Sequence, residues 1–138
     1  MIGSGEVYYH MIYIDDLIDG ILLCGAKKEA IGNVYILGDE SFVTINRLVE
    51  MIADVLGVKA PRFHFPFTPA YYASILCEFI CKPLGIDPPL YRRRVDFFRK
   101  NRAFDISKAK RELGFRPKVD LKTGIRLTAN WYHKQALL

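Results

Sequence analysis

His10-Met11-Ile12-Tyr13-Ile14-Asp15-Asp16-Leu17, followed by Gly32-Asn33-Val34-Tyr35-Ile36-Leu37-Gly38, is the stretch on which the fold turns. Tyr8 to Ile14 mixes Tyr, Ile and Met, side chains that suit a pleated, half-buried surface, and predicts a strand. Asp15 and Asp16 follow directly, and a carboxylate there can accept an orphan backbone N–H, so one of the pair is expected to cap a helix. Leu17, Ile18, Ile21 and Leu22 then recur at helical spacing, and Lys27-Lys28 complements the negative end of the helix dipole. Gly32-Asn33 opens a short apolar strand, Val34 to Leu37, closed by Gly38. Thr44 caps a second helix with Ile45, Leu48, Val49, Ile52 and Leu56 on one face and Gly57 as its stop. Strand, helix, strand, helix predicts an α/β arrangement with a right-handed crossover.

Working outward, Pro61 and Pro66 bound a further short strand, Arg62 to Phe65, and Thr68-Pro69 suits a cap and first turn. Ala70 to Cys81 is apolar nearly all round, with Glu78 its only charge. Such a helix must be buried or pressed against a partner. Leu90 to Phe98 predicts another helix, carrying Arg92, Arg93 and Arg94. Arg102 to Asp105 is extended; Ser107 is expected to cap a short helix, Lys108 to Leu113, which Gly114 ends. Asp120 caps a last helix with Leu121, Ile125, Trp131 and Tyr132. With neither repeat nor linker, residues 1–138 read as a single domain.

The composition excludes several classes. Of 138 residues, 51% are hydrophobic and 25% charged, far from a disordered chain. No run approaches the roughly 18 uninterrupted apolar residues of a membrane span. Three cysteines without framework spacing imply reduced thiols and a cytoplasmic protein. Residues 1–60 hold four basic and nine acidic side chains, whereas 92–118 hold eleven basic and three acidic. The basic part fits an anionic partner, or equally solvated helix faces paired with the acidic half. No helix-turn-helix pattern, zinc-finger spacing or RNA-type aromatic run is present, so neither nucleic acid nor membrane is expected as partner. The three histidines and three cysteines lack metal-ligand spacing.

The opening stretch resembles the "H-x-x-Y-V-D-D … G-x-x-Y-x-x-G" run of NAD(P)-dependent epimerases/dehydratases, the extended short-chain dehydrogenases. Asp105-Ile106-Ser107-Lys108-Ala109-Lys110-Arg111-Glu112-Leu113-Gly114-Phe115-Arg116-Pro117 resembles that family's C-terminal "D-x-S-K-A-x-x-E-L-G-[FW]-x-P" run. Both occur in the family's order. The resemblance implies a small lobe of helices and short strands, with Val34–Leu37 joining the parallel sheet of a nucleotide domain.

The chain has neither the family's G-x-x-G-x-x-G loop nor its Tyr-x-x-x-Lys catalytic pair; Gly3-Ser4-Gly5 begins a related pattern, but Tyr8 occupies the third glycine's place. The resemblance therefore implies a substrate-binding lobe, not catalytic alone, without the Rossmann half that would hold NAD or NADP. It implies a nucleotide sugar or related phosphorylated molecule as substrate. Tyr9 stands where many members carry a diphosphate-binding arginine, and Arg94, beside Arg92 and Arg93, falls near a second such place. Guanidinium forks suit phosphate oxygens, although the three arginines are also compatible with a solvated helix face. Phe63, Phe65, Phe67, Tyr71 and Tyr72 could wall a pocket or simply pack. The greasy helix and the unpaired strand edge predict a symmetric homodimer. Two other readings stay open: a stand-alone phosphate-ligand module, and a protein that docks a separate chain carrying the Rossmann half.

Overall fold

A computed structural model describes residues 1–137. Among the described residues the only sheet is two short strands, β1 (Tyr8–Tyr9) and β2 (Val43–Thr44), paired antiparallel with Tyr8 opposite Thr44. The described residues form five α-helices, α1 (Ile14–Ala26), α2 (Ile45–Leu56), α3 (Phe67–Cys81), α4 (Arg92–Asp96) and α5 (Leu121–Lys134). The expected right-handed parallel crossover is not formed. The predicted strand Tyr8–Ile14 is shorter because helix α1 already begins at Ile14, and Val34–Leu37, although extended, pairs with no strand among the described residues. Arg62–Phe65 contributes a single bridge, Phe65 to Ile2.

The opening stretch and the Asp105–Pro117 run meet in one core. Ala109, Leu113 and Phe115 are fully buried, with Ile12, Leu23, Tyr35 and Leu37 packed around them. Gly20 faces Leu37 and Phe115 so closely that a Cβ there would stand 2.7 Å from the leucine methyl.

Asp16 corrects the expected cap. Tyr13 occupies the cap position without a side-chain bond, so Asp15 and Asp16 lie in the first turn. Asp16 is buried, and its two oxygens accept the backbone N–H groups of Lys118 (3.0 Å) and Val119 (2.9 Å). One carboxylate thus ties the opening stretch to the bend before α5. At α2 the expectation holds: Thr44 Oγ1 accepts the Arg47 N–H, and Gly57 ends the helix at φ +67°. Asp120 likewise accepts the Thr123 N–H at α5. Ser107 is itself held by Asp105, whose carboxylate accepts both its N–H and its hydroxyl, and the turn that follows is a π-helix, Ala109–Leu113.

Helix α3 presents two unlike faces. Its inward stripe is Ala70, Ser74 and Glu78, while Tyr72, Leu76, Phe79 and Ile80 face outward. Its small and polar side points in, where α4 packs against it.

Candidate functional site

Backbone pairing brings the arginine cluster together. The Arg102 N–H donates to Tyr8 O at 2.8 Å and the Tyr8 N–H donates to Asn101 Oδ1, which lays residues 101–102 beside β1. Arg102 Nη1 then donates to Tyr9 Oη (2.7 Å) and to Phe97 O (2.8 Å), with the guanidinium 4.3 Å from the Phe97 ring centroid. The Tyr9 hydroxyl donates to the same Phe97 carbonyl at 2.9 Å. Burial raises the Tyr9 pKa, and the Arg102 charge opposes that rise. Beside this anchor opens a cleft of about 730 Å³ lined by Tyr91, Arg93, Arg94, Phe97, Phe98 and Arg102. The Arg94 guanidinium lies 5.2 Å from the Tyr91 ring centroid. Guanidiniums against aromatic faces can grip an anion and stack a flat group at the same time.

The four residues named from sequence separate. Arg93 and Arg94 line the cleft. Tyr9 is buried and does not line the cleft; its hydroxyl is committed to Arg102 and Phe97. Arg92 turns to α3: its N–H donates to Glu78 Oε1 at 2.7 Å and its Nε approaches Oε2 at 3.3 Å, alongside Lys82 Nζ at 3.0 Å. The Arg92 N–H and then the Lys82 ammonium hold Glu78 below the usual carboxylate range. Sequence reasoning missed Arg102. It lies in an extended piece with no periodicity, and only the pairing with β1 brings it to the cleft.

A second hollow, about 490 Å³, lies between His10, Glu40, Phe42, Phe104, Ser107 and Lys110. His10 works there as a structural pin. Its Nδ1 accepts the Phe104 N–H at 3.2 Å, which leaves Nε2 to donate to Asp39 O at 2.7 Å. The ring fills the space above Gly38, where a Cβ would stand 2.7 Å from Nε2. That contact gives the histidine and the distant glycine of the opening stretch a shared physical reason.

No family model matches the chain. It is 32% identical over 140 residues to the uncharacterized protein y4nL of Sinorhizobium fredii, covering 95% of this chain and 38% of that one. It is 28% identical to 3beta-hydroxysteroid-dehydrogenase/decarboxylase isoform 1 of Arabidopsis thaliana, over 93% of this chain and 32% of the relative. The chain thus spans about a third of the length of these curated relatives. The crystal structure of UDP-glucuronic acid 4-epimerase from Bacillus cereus in complex with NAD superposes at a TM-score of 0.66 and 23% identity, over all of this chain and 35% of that one. The chain is a C-terminal portion of the extended short-chain dehydrogenase fold.

The Bacillus cereus epimerase structure holds NAD, and the Gly3-Ser4-Gly5 turn of this chain is not shaped for the pyrophosphate of such a nucleotide. The Gly3-Ser4-Gly5 turn opens no helix. A Cβ at Gly5 would collide with the Asn46 side-chain amide, which donates to Ser4 O and to the Glu6 carboxylate. The glycine there admits an asparagine and cradles no pyrophosphate. Among the described residues, no three His, Cys, Asp or Glu side chains are placed to hold a metal ion.

Proposed function

We propose that residues 1–138 form one substrate-binding lobe of an NAD(P)-dependent epimerase, dehydratase or dehydrogenase, in which a separate Rossmann lobe holds the cofactor and performs the hydride chemistry. The Arg93–Arg94–Arg102 cleft carries this reading, because three cations on aromatic walls suit the anionic part of a substrate. Ile14, Ile18, Ile21 and Leu22 on α1, with Val34 and Ile36 nearby in sequence, are exposed and suit docking of the nucleotide lobe. A nucleotide sugar is the first substrate class, its diphosphate held by Arg93 and Arg94.

A second substrate reading replaces the diphosphate by a carboxylate on an apolar skeleton. The aromatic lining favours it, as does the steroid chemistry in the name of the Arabidopsis relative. Calorimetric titration of the protein with UDP-glucuronic acid and with a steroid carboxylate separates the two. Arg94→Ala is expected to weaken whichever ligand binds by roughly 10- to 100-fold, the worth of one charge-assisted hydrogen bond. Unchanged affinity removes Arg94 from the site.

A further inference from the structure

Between α2 and α5 lies a cavity of about 350 Å³. Two helical stripes wall it, Leu48, Ile52 and Leu56 on α2 and Leu121, Ile125 and Tyr132 on α5. Asp39, Gly124 and Ala129 in its lining are buried, whereas Ile52 and Tyr132 are exposed, so the space has a closed floor and an open rim. A close-packed interior leaves few voids larger than a water molecule. At about 350 Å³ this one is more than twice the roughly 150 Å³ of apolar space that admits benzene.

Asp39 is the one carboxylate in the lining, and no Lys, Arg or His accompanies it. The residue is only 7% exposed. Among the described residues its carboxylate accepts a single hydrogen bond, from the Glu40 N–H at 2.7 Å, and enters no ion pair. Asp39 also borders the hollow beside His10, but the Lys110 ammonium there is taken by Glu40 at 2.6 Å. Burial, before any other cause, raises the Asp39 pKa; the Glu40 N–H and the His10 ring oppose the rise, and the Asp120 and Asp16 carboxylates add to it. A buried carboxylate between apolar walls, with other acids near it, is costly until a donor or a cation meets it.

We propose that the α2–α5 cavity is a binding site for a compact apolar molecule bearing an amine, its hydrocarbon body between the two stripes and its ammonium donating to Asp39. Each part of the ligand answers a part of the lining. The walls favour a body without polar groups, and the lone acid favours a cationic head and rejects an anionic one. The arginine cleft selects the opposite charge and shares no lining residue with this cavity. The site therefore stands whichever substrate that cleft takes.

The test uses probes of one skeleton, indane, 2-aminoindane and indane-2-carboxylate, titrated at neutral pH into the full chain with carbon-13-labelled methyl groups. The methyl resonances of Leu48, Ile52 and Ile125 are expected to move with indane, and to do so at roughly tenfold lower concentration with 2-aminoindane. The carboxylate is expected to bind roughly tenfold more weakly than indane. Asp39→Asn keeps an acceptor for the Glu40 N–H and is expected to erase the advantage of the amine, with indane affinity within about threefold of its former value. Ala129→Leu, which fills the floor, is expected to weaken indane and 2-aminoindane alike, roughly tenfold. Still methyl resonances, equal affinity for indane and 2-aminoindane in the unaltered chain, or an amine preference that survives Asp39→Asn each overturns the proposal.

Discussion

The packing around α1 rests chiefly on buried apolar side chains, the joint between α3 and α4 chiefly on a charged tie. Around α1, Leu113 and Phe115 lie within an apolar shell, and the polar groups nearby are satisfied: Asp16 by two backbone N–H groups, Tyr35 by the Glu112 carboxylate at 2.7 Å. That bond keeps the phenol protonated, its pKa pushed up to about 12. At the α3–α4 joint the only fully buried apolar side chain is Val95, and the tie is Glu78 with Arg92 and Lys82. Apolar packing is indifferent to acid, whereas a carboxylate tie holds only while it is charged. The first region should set the global stability, and the second should open locally and on condition.

The largest expected effect tests the first half of that contrast. Leu113→Ala empties a site that is 1% exposed and should cost about 2–5 kcal/mol in urea unfolding, at neutral and acid pH alike. A loss below about 1 kcal/mol would mean that the cluster is not the dominant core.

A smaller and local effect tests the other half. Because its partners lower the Glu78 pKa, the stabilisation it gives is complete above its ordinary value of 4.5 and is lost as pH falls through the lower folded value. Hydrogen exchange followed downward from pH 4.5 should show α3 and α4 amides losing protection before those of Ala109–Phe115. Asp105 and Asp120 are also held low by their hydrogen bonds, but both are exposed and lie outside the apolar cluster. Glu78→Gln should loosen the joint at neutral pH and abolish the extra loss in acid. Simultaneous loss in both regions of the unaltered chain would break the comparison.

The same contrast explains what was legible in the sequence. Around α1 and α2, local signals and tertiary packing agree: Thr44 caps, Gly57 stops, and the Lys108–Pro117 run folds back on the opening stretch. The pairing of His10 with Gly38 is spelled in the sequence, but its reason is a ring against a backbone with no Cβ, visible only in three dimensions. A carboxylate at a helix start, such as Asp16, can serve that helix or a bend 102 residues away, and nothing local decides between them. In α3 a nearly uniform apolar run carries no phase. Which stripe faces inward is set by how closely α4 approaches, and close approach selects Ala70 and Ser74. Arg92, Arg93 and Arg94 are adjacent in sequence, yet a helical turn sends the first to Glu78 and leaves the others on the cleft.

The smallest expected effect sharpens the comparison at α2, whose cap is independent of charge. Thr44→Ala removes the acceptor of the Arg47 N–H and should cost about 1 kcal/mol, with no dependence on pH between Glu78-intact and Glu78→Gln chains. Thr44→Asn should recover most of the loss, since asparagine caps as well as threonine. Thr44 is also the β2 residue opposite Tyr8, on the strand whose Tyr9 holds Arg102 of the arginine cleft. If Thr44→Asn recovers stability but the affinity of the cleft still falls, register at β1–β2, and not the helix cap, is what this residue contributes to the site.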